Sequence, residues 1–353
     1  KFYDCKFSFS TSSRICGVLD MRTNDCLFDH CQFIGCASDT ILLSNKAESD
    51  EQPIGTFEFT NNYVKYNHGK FIKAVRMLTK PIIENNTFES TTLDGDYYIQ
   101  IPHNQLYIEI NNNIFTEIIS IGNQFNSRGG IGLFIENNDS EFTIKYHECK
   151  FYNIINDQSS YPNCQGGCIQ YGLSTNSNIN CHFEITKCIF KNNKAQLHGG
   201  AIAIRTTKSV LIQECEFSNN IANNINNNAE LLFVNTCSDN TNGFGGGIYI
   251  NPTFKLNGNN YEMISLNINS CTFKNNRAYQ GFAIYLEGED SSTTISINNN
   301  IFDGNLGLEG SLNKGGIICS EITNLDKEYI INSNNFTNLG TRNKLFEYVN
   351  NAY

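Results

Sequence analysis

No cluster of lysine and arginine occurs anywhere in the 353 residues, and 25 basic residues stand against 35 acidic ones, a formal net charge of -10. Phosphate binding needs grouped cations, so neither a nucleic-acid surface nor a docking face for anionic lipid is expected. No window reaches the ~18 consecutive apolar residues of a membrane helix, so this segment should contain no membrane span. The chain opens at Lys1 with neither a methionine nor a signal-peptide pattern, which reads as a processed or partial chain. Amphipathic-helix spacing is missing too: the apolar residues sit in short runs that alternate with polar ones, the period of strands. Cysteine, by contrast, is plentiful. Fourteen cysteines favour an oxidising compartment, hence a secreted or cell-surface protein.

Those short runs repeat. The pattern I-x-x-[C/N]-x-F occurs as "IENNTF" (83 to 88), "INNNIF" (110 to 115), "ITKCIF" (185 to 190), "IQECEF" (212 to 217), "INSCTF" (268 to 273), "INNNIF" (297 to 302) and "INSNNF" (331 to 336). Looser copies are "YDCKF", "DHCQF" and "YHECKF", with Tyr63 of "FTNNYV" standing in for the phenylalanine. The pattern's aromatics are then Phe7, Phe33, Tyr63, Phe88, Phe115, Phe151, Phe190, Phe217, Phe273, Phe302 and Phe336. Spacings of 27 (88 to 115, 190 to 217) and 29 (273 to 302) fall in the range of a solenoid repeat. Between copies sits a glycine-led run, "GGIGLF", "GGCIQY", "GGAIAI", "GGGIYI", "GFAIYL" and "GGIICS", which decays in the N-terminal third to "CGVLDM", "DTILLS", "GKFIKA" and "GDYYIQ".

In "SLNINSCTFKNNRAYQGFAIYL", Leu266 and Ile268 share a strand face, Asn269 and Ser270 turn the chain, and Cys271 and Phe273 point inward from the next strand. Asn275 and Asn276 make a second corner, because asparagine tolerates left-handed backbone angles. Gly281 then opens a third strand whose Ile284 and Leu286 return to the core. The expected fold is all-β: one right-handed parallel β-helix over residues 1–353, about eleven turns of three short strands. Repeats are degenerate in 1–110 and clear in 110–340. The segments 219–244 and 251–263 lengthen a single turn and are expected to be lateral loops, the first place to look for recognition.

The pairing of F-x-x-N ("FKNN", "FSNN", "FDGN") with "GGAI", "GGGI" and "GFAI" resembles the repeat of the chlamydial polymorphic membrane proteins and Pmp-like surface proteins of unicellular eukaryotes. Strong copies cover roughly residues 110 to 340. The resemblance implies an extracellular, surface-displayed β-helix associated with adhesion, and it carries over no catalytic residue. Family members in bacteria end in a membrane β-barrel, of which "NKLFEYVNNAY" shows no sign.

At the Cys/Asn position the chain reads Cys5, Cys31, Asn61, Asn86, Asn113, Cys149, Cys188, Cys215, Cys271, Asn300 and Asn335, an inward corner where asparagine forms an amide ladder and cysteine packs as a small apolar group. Adjacent thiols such as Cys188 and Cys215 stand within disulfide reach. Better disulfide candidates lie off that column at Cys16, Cys26, Cys36, Cys164, Cys168, Cys181, Cys237 and Cys319, with Cys164 to Cys168 or Cys181 the first choice. A zinc site from Cys164, Cys168, Cys181 and His182 fits no common spacing, and "DGD" at 94 to 96 is as well explained by a turn as by calcium. No cofactor or metal is expected. Asn85, Asn138 and Asn335 head N-glycosylation sequons.

Polysaccharide-cleaving β-helices supply the rival class. Their chemistry needs acids or bases recurring on neighbouring turns, whereas the outward column of the third strand reads Gly132, Gln170, Ala203, Tyr249, Tyr285 and Ile318. The chain is therefore read as non-catalytic: an adhesive or structural, and even polymer-forming, surface component, with a carbohydrate-binding or polysaccharide-cleaving protein as the alternative. The uncharged column suits close packing, either against another copy or a surface glycan, with Tyr249 and Tyr285 as anchors, or beneath the chain's own insertions. End-to-end assembly of copies through open strand edges is the other expectation about partners.

Overall fold

The computed structural model describes residues 1–8, 19–21, 25–36, 40–43, 54–74, 78–93, 99–102, 107–120, 133–136, 141–156, 166–171, 180–205, 207–223, 243–251, 253–256, 259–287, 293–308, 316–322, 329–339 and 344–348. All regular structure among them is strand. Every strand pair but one is parallel and in register, and sequence neighbours in a sheet come from successive repeats. The arrangement is compatible with a β-helix or similar solenoid.

One clear repeat shows how the residues build it. The strand Cys181–Thr186 alternates, burying Cys181, Phe183 and Ile185 and turning His182, Glu184 and Thr186 outward. Lys187 takes a φ of 53° and redirects the chain into Ile189–Lys191, whose Phe190 is fully buried. Asn192, at φ 59°, turns it again into the two-residue strand Lys194–Ala195, and Gly199, at φ 63°, leads into Ile202–Arg205. The structure thus inserts a short strand where the sequence suggested only a corner.

Strands of the first kind form an eleven-stranded sheet running from Phe2–Tyr3 to Tyr329–Asn332. The second and third kinds share a sixteen-stranded sheet. The glycine-led strands divide into a five-stranded sheet, Leu19–Met21 to Leu133–Glu136, and a six-stranded one, Ile169–Tyr171 to Lys344–Tyr348.

The phenylalanine column is continuous from Phe88 to Phe336, with parallel rings whose successive centroids lie between 4.6 Å (Phe151 to Phe190) and 5.2 Å (Phe115 to Phe151). Tyr63 does not belong to it. Val64 pairs with Phe33 and Phe88, while Tyr63 lies one position off and donates its hydroxyl to Glu89 at 2.6 Å. The short valine leaves room that Phe71 and Phe59 fill, Phe71 standing edge-on to Phe33 at 5.2 Å and to Phe88 at 6.0 Å. One residue of register thus separates the inward position from its outward neighbour.

Ser209–Gln213 pairs directly with Ser265–Asn269, and Ile202–Arg205 with Ile248–Asn251. Of the segment 219–244, residues 224–242 lie outside the described residues. Within 251–263 the strands Thr253–Leu256 and Asn259–Glu262 make the antiparallel hairpin. Among the described residues no helix is long and apolar enough to cross a membrane.

Candidate functional site

The nominated strip is buried. Gln170 is 4 % exposed, Ala203 1 %, and Tyr249, Tyr285 and Ile318 are at 0 %; Gly132 lies outside the described residues. Register removes Ile318 from the strip altogether, for it pairs with Ile284 in the main core, and Cys319 is the partner of Tyr285. Ala203, Phe244, Tyr249, Tyr285 and Cys319 form a small core of their own. His198 and Phe244, each the residue before a corner glycine, fold over this column: the His198 ring stacks on Tyr249 at 4.7 Å and on Phe244 at 5.0 Å, and Phe244 stacks on Tyr285 at 4.4 Å. His198, Phe244 and Gln280 are themselves bridged strand to strand. The Tyr249 hydroxyl donates to the Glu287 carboxylate, and burial, followed by the charge of Glu321, holds the Tyr285 phenol well above its ordinary range. A site built on Tyr249 and Tyr285 as exposed anchors is therefore corrected to an internally covered seam.

The Cys/Asn column is a hydrogen-bonded ladder, and its members are Asn62 and Asn334 where the sequence suggested Asn61 and Asn335. Asn61 and Asn335 are exposed neighbours, and Asn61 sits at φ 56°. Asn86 shows the arrangement: its backbone N–H and its Nδ2 both donate to Asn113 Oδ1 at 3.0 Å, and Nδ2 also donates to Phe59 O at 2.7 Å. Cysteine does the same work. The backbone N–H of Cys188 donates to Cys215 Sγ at 3.4 Å and that of Cys215 to Cys271 Sγ at 3.5 Å, while the thiols point to the carbonyls that an asparagine amide would reach. A second buried column, the last residue of F-x-x-N, runs through Asn193, Asn220, Asn276 and Asn305 by the same bonds. Cys36 belongs to that column, with its N–H on Asn67 Oδ1 at 2.9 Å. The spacing signal was present in F-x-x-N, but burial of its asparagine was not legible without register.

Cys168, Cys181, Cys26, Cys36 and Cys319 are buried and in no disulfide, and Cys16, Cys164 and Cys237 lie outside the described residues. None of the eleven described cysteines is in a disulfide, so pairings among them, Cys168 with Cys181 and Cys188 with Cys215 included, are absent. Thiols used as core filler do not call for an oxidising compartment. Burial pushes Cys181 and Cys26 up to about 12 and holds Cys168 well above the usual thiol range. Of the sequon asparagines, Asn85 is exposed and accepts a bond from Asn112 at 2.7 Å, Asn335 is exposed, and Asn138 lies outside the described residues, as does the "DGD" stretch.

One polar group escaped the sequence reading. His182 Nδ1 lies 2.6 Å from Ser209 Oγ and Nε2 lies 2.7 Å from Glu141 Oε1, and Lys208 pairs with the other oxygen of that carboxylate. Hydrogen bonds from Lys208, then His182, hold Glu141 below its usual range. Hydroxyl, imidazole and carboxylate in series are the parts of nucleophilic catalysis, but this carboxylate is shared with an ammonium and stands 55 % exposed. Only strand register brings the three together from positions 141, 182 and 209. Among the described residues, no three or more His, Cys, Asp or Glu side chains are grouped to hold a metal ion. No family model, curated protein or solved structure matches the chain.

Proposed function

We propose that this chain is a non-catalytic, right-handed β-helix of about eleven turns that serves as an adhesive or structural component outside the cell or at its surface. The observation that carries the reading is the length over which the columns stay in register: the ring stack from Phe88 to Phe336, with buried amides and thiols beside it. Such columns commit the interior residues to stiffness and leave them no substrate chemistry. Right-handedness follows from the preference of parallel crossovers, and the surface location from the resemblance to the Pmp-like repeat. With the tyrosine seam covered, contact with other copies or with surface glycans falls to segments standing off the sheets, such as the hairpin Thr253–Leu256 with Asn259–Glu262.

Negative-stain electron microscopy of native material, together with glycan-array binding and an assay for sugar release from a polysaccharide panel, tests this. The expected result is straight rods on the order of 50 Å per copy, located at the surface, with no sugar released. Intracellular, compact particles sink the proposal, and release of oligosaccharides moves the chain to the polysaccharide-cleaving class.

A further inference from the structure

Four successive repeats carry cysteine at the same corner: Cys149, Cys188, Cys215 and Cys271, flanked along the column by Asn113 and Asn300. Their side chains adopt one arrangement. Each Sγ reaches the carbonyl two residues earlier in its own chain, at 3.5, 3.4, 3.2 and 3.3 Å respectively. Each also reaches a carbonyl of the preceding repeat, those of Ile110, Tyr146, Ile185 and Ile212, at 3.1 to 3.6 Å. Identical contacts in an in-register parallel stack give sulfurs that repeat with the strand spacing, about 4.8 Å. A cation midway between two such sulfurs needs twice a metal–thiolate bond of about 2.3 Å, or about 4.6 Å. Among the described residues no third His, Cys, Asp or Glu side chain joins a pair of these sulfurs in a group that could hold a metal ion, so each gap offers two thiol ligands. That excludes the tetrahedral set zinc requires and suits a soft cation content with two ligands.

We propose that this column is a binding site for two-coordinate soft monovalent cations, Cu(I) in kind, one between Cys149 and Cys188 and one between Cys215 and Cys271. Alternate gaps are filled because a sulfur shared by two cations in a straight column would have to hold its two metal bonds at a straight angle. Each step is 2 RSH + M⁺ → [RS–M–SR]⁻ + 2 H⁺: two S–H bonds break, two S–M bonds form, and no electron is transferred. At the second of these sites the anion left in the core is met by backbone donors already in place, the N–H of Cys188 on Cys215 Sγ and that of Cys215 on Cys271 Sγ. Thiolate–metal sites are held by N–H donors of this kind.

The fold supplies its own control, since asparagine fills the same corner at Asn62, Asn86, Asn113 and Asn300. The reduced full chain is titrated anaerobically with Cu(I), and with Ag(I) as a redox-inert probe, and the bound ions are counted by native mass spectrometry. The double variant Cys188→Asn/Cys271→Asn leaves no adjacent thiols in this stretch and should hold two fewer ions than the parent, whereas Cys319→Ser should hold as many. Equal counts in parent and double variant, or an equal loss in Cys319→Ser, overturn the proposal. Should the double variant fail to fold, the parent decides: two protons released per ion and an X-ray absorption spectrum with two sulfur neighbours are expected. Fewer protons, or nitrogen or oxygen in the ligand set, overturn it.

Discussion

Asn220 shows how many bonds converge on one ladder residue. Its Oδ1 accepts from the backbone N–H and Nδ2 of Asn193 at 3.1 and 3.0 Å, and its Nδ2 donates to Asn276 Oδ1 and Phe190 O, both at 3.0 Å. All of these groups are buried, so Asn220→Ala orphans donors and acceptors above and below it and should cost about 3 kcal/mol or more, at about 1–3 kcal/mol per stranded group. Chemical denaturation reads the change. Cys215→Asn, which restores the bonds its neighbours make elsewhere in the column, should stay within about 1.5 kcal/mol of the parent. Phe217→Ala removes a ring stacked at 4.9 Å on both Phe190 and Phe273 and should cost roughly 3–5 kcal/mol. A cost below 1 kcal/mol for Phe217→Ala would mean the stack is not where the stability resides.

The element most sensitive to substitution is the paired-glycine corner. A Cβ on Gly200 would stand 2.1 Å from Gly246 O, and one on Gly246 would stand 2.2 Å from Phe282 O, so backbone meets backbone there with no side chain that can yield. Gly200→Ala should therefore lower stability by more than about 3 kcal/mol and broaden the unfolding transition, measured by circular dichroism. Much of this element was legible in sequence: the glycine pair, the inward Ile202 and Ile204, and Phe190 all stand as the repeat implied. What failed to show was the outer side of the same strand. Alternation marks Tyr249 and Tyr285 as outward, but it carries no information on whether His198 and Phe244 fold over them. At Asn334 and Cys319 the repeat itself already names the inward or column residue, two before Phe336 and fifth in "GGIICS", whereas at Val64 and Asn62 register failed by one residue because only strand pairing tells Val64 from Tyr63. The Glu141, His182 and Ser209 group was invisible for the same reason.

Over the whole molecule, ionisable groups set a stability window bounded on both sides. Hydrogen bonds from Asn61, Lys65, Lys208 and Asn338 lead the causes that hold Asp29, Glu89, Glu141 and Asp303 below their ordinary values. The unfolded chain then binds more protons in acid, and stability should fall as pH drops below about 4.3 toward the folded values. Burial raises Cys26, Cys168 and Cys181, so the folded chain keeps protons that the unfolded chain releases. That contribution is complete below about pH 8.5 and is lost above it, at up to about 1.4 kcal/mol per pH unit for each thiol. Melting temperatures at pH 7, 9 and 10 should fall steeply over the last step; a flat profile would mean the thiols are not buried. The asparagine columns have a heritable corollary. Asn193 and Asn220 are 27 residues apart and make the same bonds, so a duplicated block of that many codons presents every column with a residue it already accepts. A lineage can lengthen or shorten the protein by whole repeats while each intermediate still folds, whereas a deletion of a single codon shifts every side chain in its strand to the opposite face.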